Sequence, residues 1–152
     1  GTKLFIWPED NARQTQGYGM TSYAKRGAYG GAPHNGIDMS AGAGSPIKAA
    51  ADGIVFASGT NAGWGNWIAI KHANERVTLY AHMRRPTTVA VGTPVTAGMA
   101  LGFEGSTGFA TGSHLHFSVY SKFFTYNKGS EIYFNYFDGT LNPLNYLYYY
   151  AT

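Results

Sequence analysis

The chain has no cysteine. A thiol nucleophile, a thiolate metal site and a disulfide framework are therefore all excluded. Charge is also scarce. Lys, Arg, Asp and Glu make up 12% of 152 residues, and no run of Lys or Arg marks a nucleic-acid-binding stripe. No apolar stretch approaches the length of a membrane span. No helix start is followed by a sustained 3.6-residue apolar period, so no long helix is expected. The chain opens on Gly-Thr with no signal peptide in view, which suggests a trimmed or mature form whose leader or anchor has been removed.

What is present is glycine and aromatic side chains, with 21 Gly and 12 Tyr. That composition favours strands joined by tight turns over a helical bundle, and it argues against disorder. Residues 1–152 are expected to form a single domain, long enough to bury a core without disulfides. The net charge of +3, from 11 basic and 8 acidic residues, is a mild bias towards an anionic polymer.

The strand pattern starts near Ile47. Ile54 to Ala57 follows Asp52-Gly53. Trp67 to Lys71 and Val77 to Ala81 flank a polar break at 73–75 and read as a β-hairpin. Met99 to Phe103 is a further short run. His114 to Tyr120 alternates, with His114, His116 and Ser118 on one face and Leu115, Phe117 and Val119 on the other. By the same alternation Thr78, Tyr80 and His82 share a face. The tail from Phe123 to Tyr150 is aromatic, with a turn at Asp138-Gly139 and one short helix expected after Asn142-Pro143. The chain reads as all-β and antiparallel, with many short strands.

Against this background four histidines and an aspartate fall into three clusters: His34-Asn35-Gly36-Ile37-Asp38, Tyr80-Ala81-His82 and His114-Leu115-His116. Imidazoles and a carboxylate are the donors that suit zinc when thiolates are lacking. Gly36 disfavours a helix, so a bend is expected to bring His34 and Asp38 together. His114 and His116, two apart on a strand, can face one cleft. Five groups exceed what a three-ligand site uses, and the surplus histidines are suited to proton transfer. His72, beside the hairpin turn, is expected to be solvated and without a role.

The order H-x-x-x-D, then Y-A-H, then H-L-H-F resembles the lysostaphin/LytM-type zinc endopeptidases, which cut the peptide part of bacterial peptidoglycan. The connecting segments are similar too: Gln14 to Gly19, Gly44-Ser45-Pro46-Ile47-Lys48-Ala49-Ala50, Gly63-Trp64-Gly65-Asn66, Gly105-Ser106-Thr107-Gly108, Thr111-Gly112-Ser113 and Asn142-Pro143-Leu144. The resemblance runs from about Trp7 to Leu147. It implies a twisted, largely antiparallel β-sheet sandwich of the duplicated hybrid motif type, with loops walling a narrow groove. It implies one Zn2+ per chain on His34, Asp38 and His116, with His82 and His114 as the catalytic pair, their individual roles open. Tyr29 is the candidate for an assisting upstream tyrosine, and Tyr80 is a second candidate for the substrate groove.

The implied activity is endopeptidase action on stem peptides or cross-bridges by a monomer outside the cell or in the envelope. It involves neither nucleic acid nor a membrane span. The alternatives are a non-catalytic wall-binding or regulatory module of the same fold, and a zinc amidase acting on the sugar–peptide bond. The segments Met20 to Ala32 and Lys122 to Thr140 match no family pattern and are candidate groove walls.

Overall fold

The computed structural model describes residues 3–148. In chain order it contains β1 (Arg13–Gln16), α1 (Ser22–Lys25), β2 (Ile37–Ser40), β3 (Pro46–Lys48), β4 (Gly53–Asn61), β5 (Gly65–Lys71), β6 (Val77–Met83), β7 (Pro94–Val95), β8 (Ala100–Phe103), β9 (Leu115–Tyr120), β10 (Thr125–Lys128), β11 (Glu131–Phe134) and β12 (Thr140–Leu141), followed by a 3-10 turn at Pro143–Asn145. Tyr149 and Tyr150, the end of the expected aromatic tail, lie outside the described residues. The all-β expectation is met. The exceptions among the described residues are that 3-10 turn, where a short helix was expected, and α1, a single helical turn capped by Thr21 Oγ1, which accepts from Ala24 N. No described helix is long and apolar enough to cross a membrane.

Eight strands form one antiparallel sheet in the order β1-β2-β9-β6-β5-β4-β7, with β12 also pairing with β9. Period-two alternation gives this sheet two apolar faces. On one face Ile68, Ile70, Tyr80, Leu115, Phe117 and Val119 pack with Ile47 and Leu101 from the small β3–β8 sheet and with Phe5 and Leu147 from near the chain ends. On the other, Trp67, Ala69, Val77, Leu79, Ala81 and Tyr120 are covered by Phe134 of the β10–β11 hairpin. The aromatic segment after Lys122 thus supplies the second core.

Two sequence expectations fail here. Tyr80 is not a groove residue. It is fully buried in the first core, where its hydroxyl accepts from Ala50 N at 2.9 Å and shares a 2.8 Å hydrogen bond with Thr78 Oγ1. His72 is not solvated. It is buried, and its ring nitrogens bond Asp52 O at 2.7 Å and Thr78 Oγ1 at 2.8 Å. Burial pushes its pKa down, so it sits as a satisfied, neutral interior group.

Candidate active site

The sheet register builds the site. Gln16 pairs with Asp38, Asp38 with His116, and His116 with Ala81, a row of neighbours across β1, β2, β9 and β6. Cross-strand partners share a face, so Asp38 and His116 project together from the face opposite Ile37, Met39, Leu115 and Phe117. His116 Nδ1 lies 3.1 Å from Asp38 Oδ1. His34 joins them through the expected bend. Its backbone bridges to Gly19 in both directions, and its Nε2 lies 3.3 Å from the same Oδ1. Gly36 makes the bend possible, because a Cβ there would collide with Phe117 O and Ser118 Oγ.

His82 arrives by a route that alternation does not foresee. Strict alternation would send it with Thr78 and Tyr80 into the first core. Instead β6 carries a bulge, with Ala81 and His82 set against Trp67 alone, and His82 takes a left-handed backbone with φ of 63°. That turn brings its ring onto the His116 face, 4.6 Å from the His114 ring and 6.3 Å from the His116 ring by centroids. Met83 then returns to the first core. His114 precedes β9, its backbone bridged to Gly105, with Nε2 3.8 Å from Asp38 Oδ1.

Hydrogen bonds on the outer ring nitrogens set the tautomers. His34 Nδ1 donates to Gly17 O at 2.7 Å. Ser118 Oγ donates to Asn35 O at 3.0 Å, so it must accept from His116 Nε2 at 2.7 Å. Both inward nitrogens therefore carry lone pairs. Asp38 Oδ2 accepts from Gln16 Nε2 at 2.9 Å, which leaves Oδ1 for the interior. Burial pushes His116 down to about 3.

A carboxylate oxygen thus faces two neutral imidazole lone pairs, an arrangement that repels unless a cation sits between them. His34, Asp38 and His116 offer ligand atoms within 4.8 Å of one another and can hold a metal ion. Three protein donors of this type are those of an open, catalytic coordination shell.

The remaining two imidazoles are arranged alike. His82 Nδ1 donates to Thr107 O at 2.7 Å and His114 Nδ1 to Gly112 O at 3.0 Å, leaving Nε2 of each for chemistry. Burial, with His114 nearby, pushes His82 down to about 4. Around all five groups lies a cavity of about 670 Å³ walled by Tyr23, Tyr29, Trp64, Phe109 and Tyr136. Tyr29 stacks on His34 with ring centroids 5.3 Å apart, and its hydroxyl accepts from Gln16 Nε2 at 2.8 Å.

Residues 32–132, which carry all five groups, match the family model described as Peptidase family M23. The chain belongs to peptidase family M23. The chain is 46% identical over 86 residues to the DD-carboxypeptidase/endopeptidase Mpg of Neisseria meningitidis, a match covering 57% of this chain and 20% of that protein. It is 36% identical over 88 residues to the peptidoglycan DD-endopeptidase ShyA of Vibrio cholerae, covering 58% and 20%. The chain thus aligns with about a fifth of the length of these curated M23 relatives. Among solved structures, the catalytic domain of the antimicrobial peptidase lysostaphin from Staphylococcus simulans superimposes with a TM-score of 0.72 at 27% identity, covering 90% of this chain and 92% of that one.

Sequence reading missed the supports of the M23 site. Gln16 orients Asp38, and Ser118 orients His116. Trp64 lies 4.7 Å from the His116 ring, and Tyr136 lies 5.9 Å from Trp64. Ser118 had a visible signal, since alternation puts it on the face of His116.

Proposed function

We propose that this chain is a zinc-dependent endopeptidase hydrolysing peptide bonds in peptidoglycan stem peptides or cross-bridges. The observation that carries this reading is the convergence of two imidazole lone pairs on an ionised carboxylate, with two further imidazoles beside them, on the floor of an open groove. The similar ShyA is a peptidoglycan DD-endopeptidase and Mpg a DD-carboxypeptidase/endopeptidase, which supports the same substrate class.

In this reading His34, Asp38 and His116 hold one zinc ion. When bound, it would polarise the scissile carbonyl and acidify a water at the open fourth position. His114 and His82 take up and return the proton. On both rings Nδ1–H is committed to a carbonyl, so Nε2 is the atom that accepts a proton from the attacking water or gives one to the leaving amine. The ring that carries the proton at a given moment donates to the developing oxyanion. Tyr29, stacked on His34, has a hydroxyl whose pKa burial pushes up to about 12, so it stays a donor to bound substrate. The aromatic walls suit a slim, extended peptide. Such an enzyme acts outside the cell or in the envelope, where its polymer is.

The test joins metal analysis to wall digestion. The wild-type protein is expected to bind about one zinc and release peptides with new amino termini from purified walls. His116→Ala should lose the metal, whereas His114→Ala should keep it and lose hydrolysis. Release of free lactyl-sugar in place of new peptide termini would assign the chain to the amidase chemistry instead. A fully active His114→Ala variant would overturn the role given to that ring.

A further inference from the structure

Glu104 is a fully buried carboxylate outside the five-residue cluster, at the point where three site-bearing segments meet. Ser40 Oγ donates to its Oε2 at 2.9 Å and Ala41 N to its Oε1 at 2.9 Å; both donors closely follow Asp38 at the end of β2. Ser113 Oγ, one residue before His114, donates to Oε2 at 2.6 Å. The Glu104 backbone bridges to Met83, the neighbour of His82, and its N–H donates to Ser45 O at 2.8 Å. Glu9 packs against the same carboxylate. Burial and the contact with Glu104 push Glu9 up to about 9, which makes it a neutral partner for an anionic Glu104.

The loop before His114 is tied to the sheet at its start, where Thr107 Oγ1 donates to Met83 O at 2.7 Å and accepts from Asn66 N at 3.2 Å, but it has few other ties beyond that point. Phe109 N donates to Gly63 O at 2.8 Å and His114 N to Gly105 O at 3.1 Å, while Phe109, Thr111 and Gly112 are exposed. The His114 ring itself is held by Gly112 of the same loop. Apart from the 3.8 Å approach of His114 Nε2 to Asp38 Oδ1, Ser113–Glu104–Ser40 is thus the side-chain hydrogen-bond link between the end of the loop that carries His114 and the strand that carries Asp38.

We infer that Glu104 is a positioning residue for His114: an acceptor-only anchor that fixes the His114 loop relative to the metal-ligand strand. This rests on the endopeptidase reading of the site. Both carboxylate oxygens accept from donors. The isosteric amide is not silent, because it removes the charge that strengthens these bonds and, with its NH2 towards Ser40 and Ser113, turns both hydroxyls from donors into acceptors.

The test uses Ser113→Ala, Ser113→Thr and Glu104→Gln in the zinc-loaded protein, following peptide hydrolysis, zinc content and amide hydrogen exchange over residues 109–114. Ser113→Ala and Glu104→Gln should lower kcat about 10-fold or more with KM within about twofold, because a misplaced proton carrier damages the transition state more than binding. Zinc content should stay at the wild-type level and exchange in the loop should quicken. Ser113→Thr, which keeps the hydroxyl, should restore both. Wild-type kcat and exchange in Ser113→Ala, or loss of zinc in step with kcat, would overturn the inference. So would failure of the threonine to rescue. If the wild-type protein cleaves no wall peptide, the endopeptidase reading fails separately, and loop exchange alone then decides whether Glu104 anchors the loop.

Discussion

Removing one hydroxyl, that of Ser118, should weaken metal binding without touching a ligand. Ser118 Oγ spends its proton on Asn35 O and accepts from His116 Nε2 at 2.7 Å, with all these groups buried. Alanine at 118 leaves the His116 N–H and the Asn35 carbonyl without partners. An unsatisfied buried donor costs about 1–3 kcal/mol, so the metal-free protein should lose stability on that scale. That corresponds to about 2–4 °C in Tm per kcal/mol for a chain of this size. The second consequence is specific to the site. Without Ser118, nothing holds the His116 proton on Nε2, and the tautomer with Nδ1–H pointing at Asp38 Oδ1 becomes favourable.

That tautomer cannot ligate a metal through Nδ1. Outer-shell partners of this kind are worth about 10–100-fold in metal affinity, or about 1.4–2.7 kcal/mol. Competition with a chromogenic chelator measures the zinc Kd of Ser118→Ala against the wild type. Circular dichroism verifies the fold, and hydrolysis at saturating zinc should recover most of the wild-type rate. A zinc Kd within about twofold of wild type would refute the tautomer argument and with it the orientation assigned to His116.

Three further outcomes follow from the same geometry. Glu9 is held protonated, with its pKa raised to about 9, so its contribution to stability is fully present below the ordinary carboxyl range and fades as pH rises towards 9. Urea unfolding should show a loss of up to about 1.4 kcal/mol per pH unit in that window, and Glu9→Gln should remove this slope; an unchanged pH profile would count against the shared-proton pair. Gly36→Ala would push a Cβ into Phe117 O and to 2.9 Å from His116 Nε2, so it should both destabilise the fold and weaken zinc binding, read by thermal melting and chelator competition; normal values for both would mean that β2 and β9 can separate at no cost. Tyr80→Phe should cost about 1–3 kcal/mol through the bonds lost to Ala50 N and Thr78 Oγ1 and leave kcat/KM unchanged; a raised KM would return Tyr80 to the groove.

Local chemistry alone settled much of this protein. Alternation along His114 to Tyr120 separated the histidine-bearing from the core-bearing face, because side chains on a strand repeat every two residues whatever lies around them. Gly36 forced a bend between His34 and Asp38, and the lack of cysteine confined metal donors to imidazole and carboxylate. The hairpin from Trp67 to Ala81 was equally plain, since its polar break and flanking apolar runs are contiguous in the chain.

What depends on pairing between distant strands was not readable there. The bulge that turns His82 from the core to the site exists only because β6 must register with β5 on one side and β9 on the other. Tyr80 and His72 look polar and available in sequence, yet the tertiary fold closes Ala50, Asp52 and Thr78 around them. Gln16 lies in a family-like segment that gives it no role, Ser118 and Glu104 lie in none, and the contacts of all three arise from segments brought together over long chain separations. The candidate donors are a property of residue type and local spacing, while the choice of His34, Asp38 and His116 among them was implied by the family resemblance. The proton positions, the orientation of each ring and the hydrogen bonds of the segment that carries His114 are decided by register, because a hydrogen bond depends on distances of a few tenths of an ångström that only the assembled sheet sets.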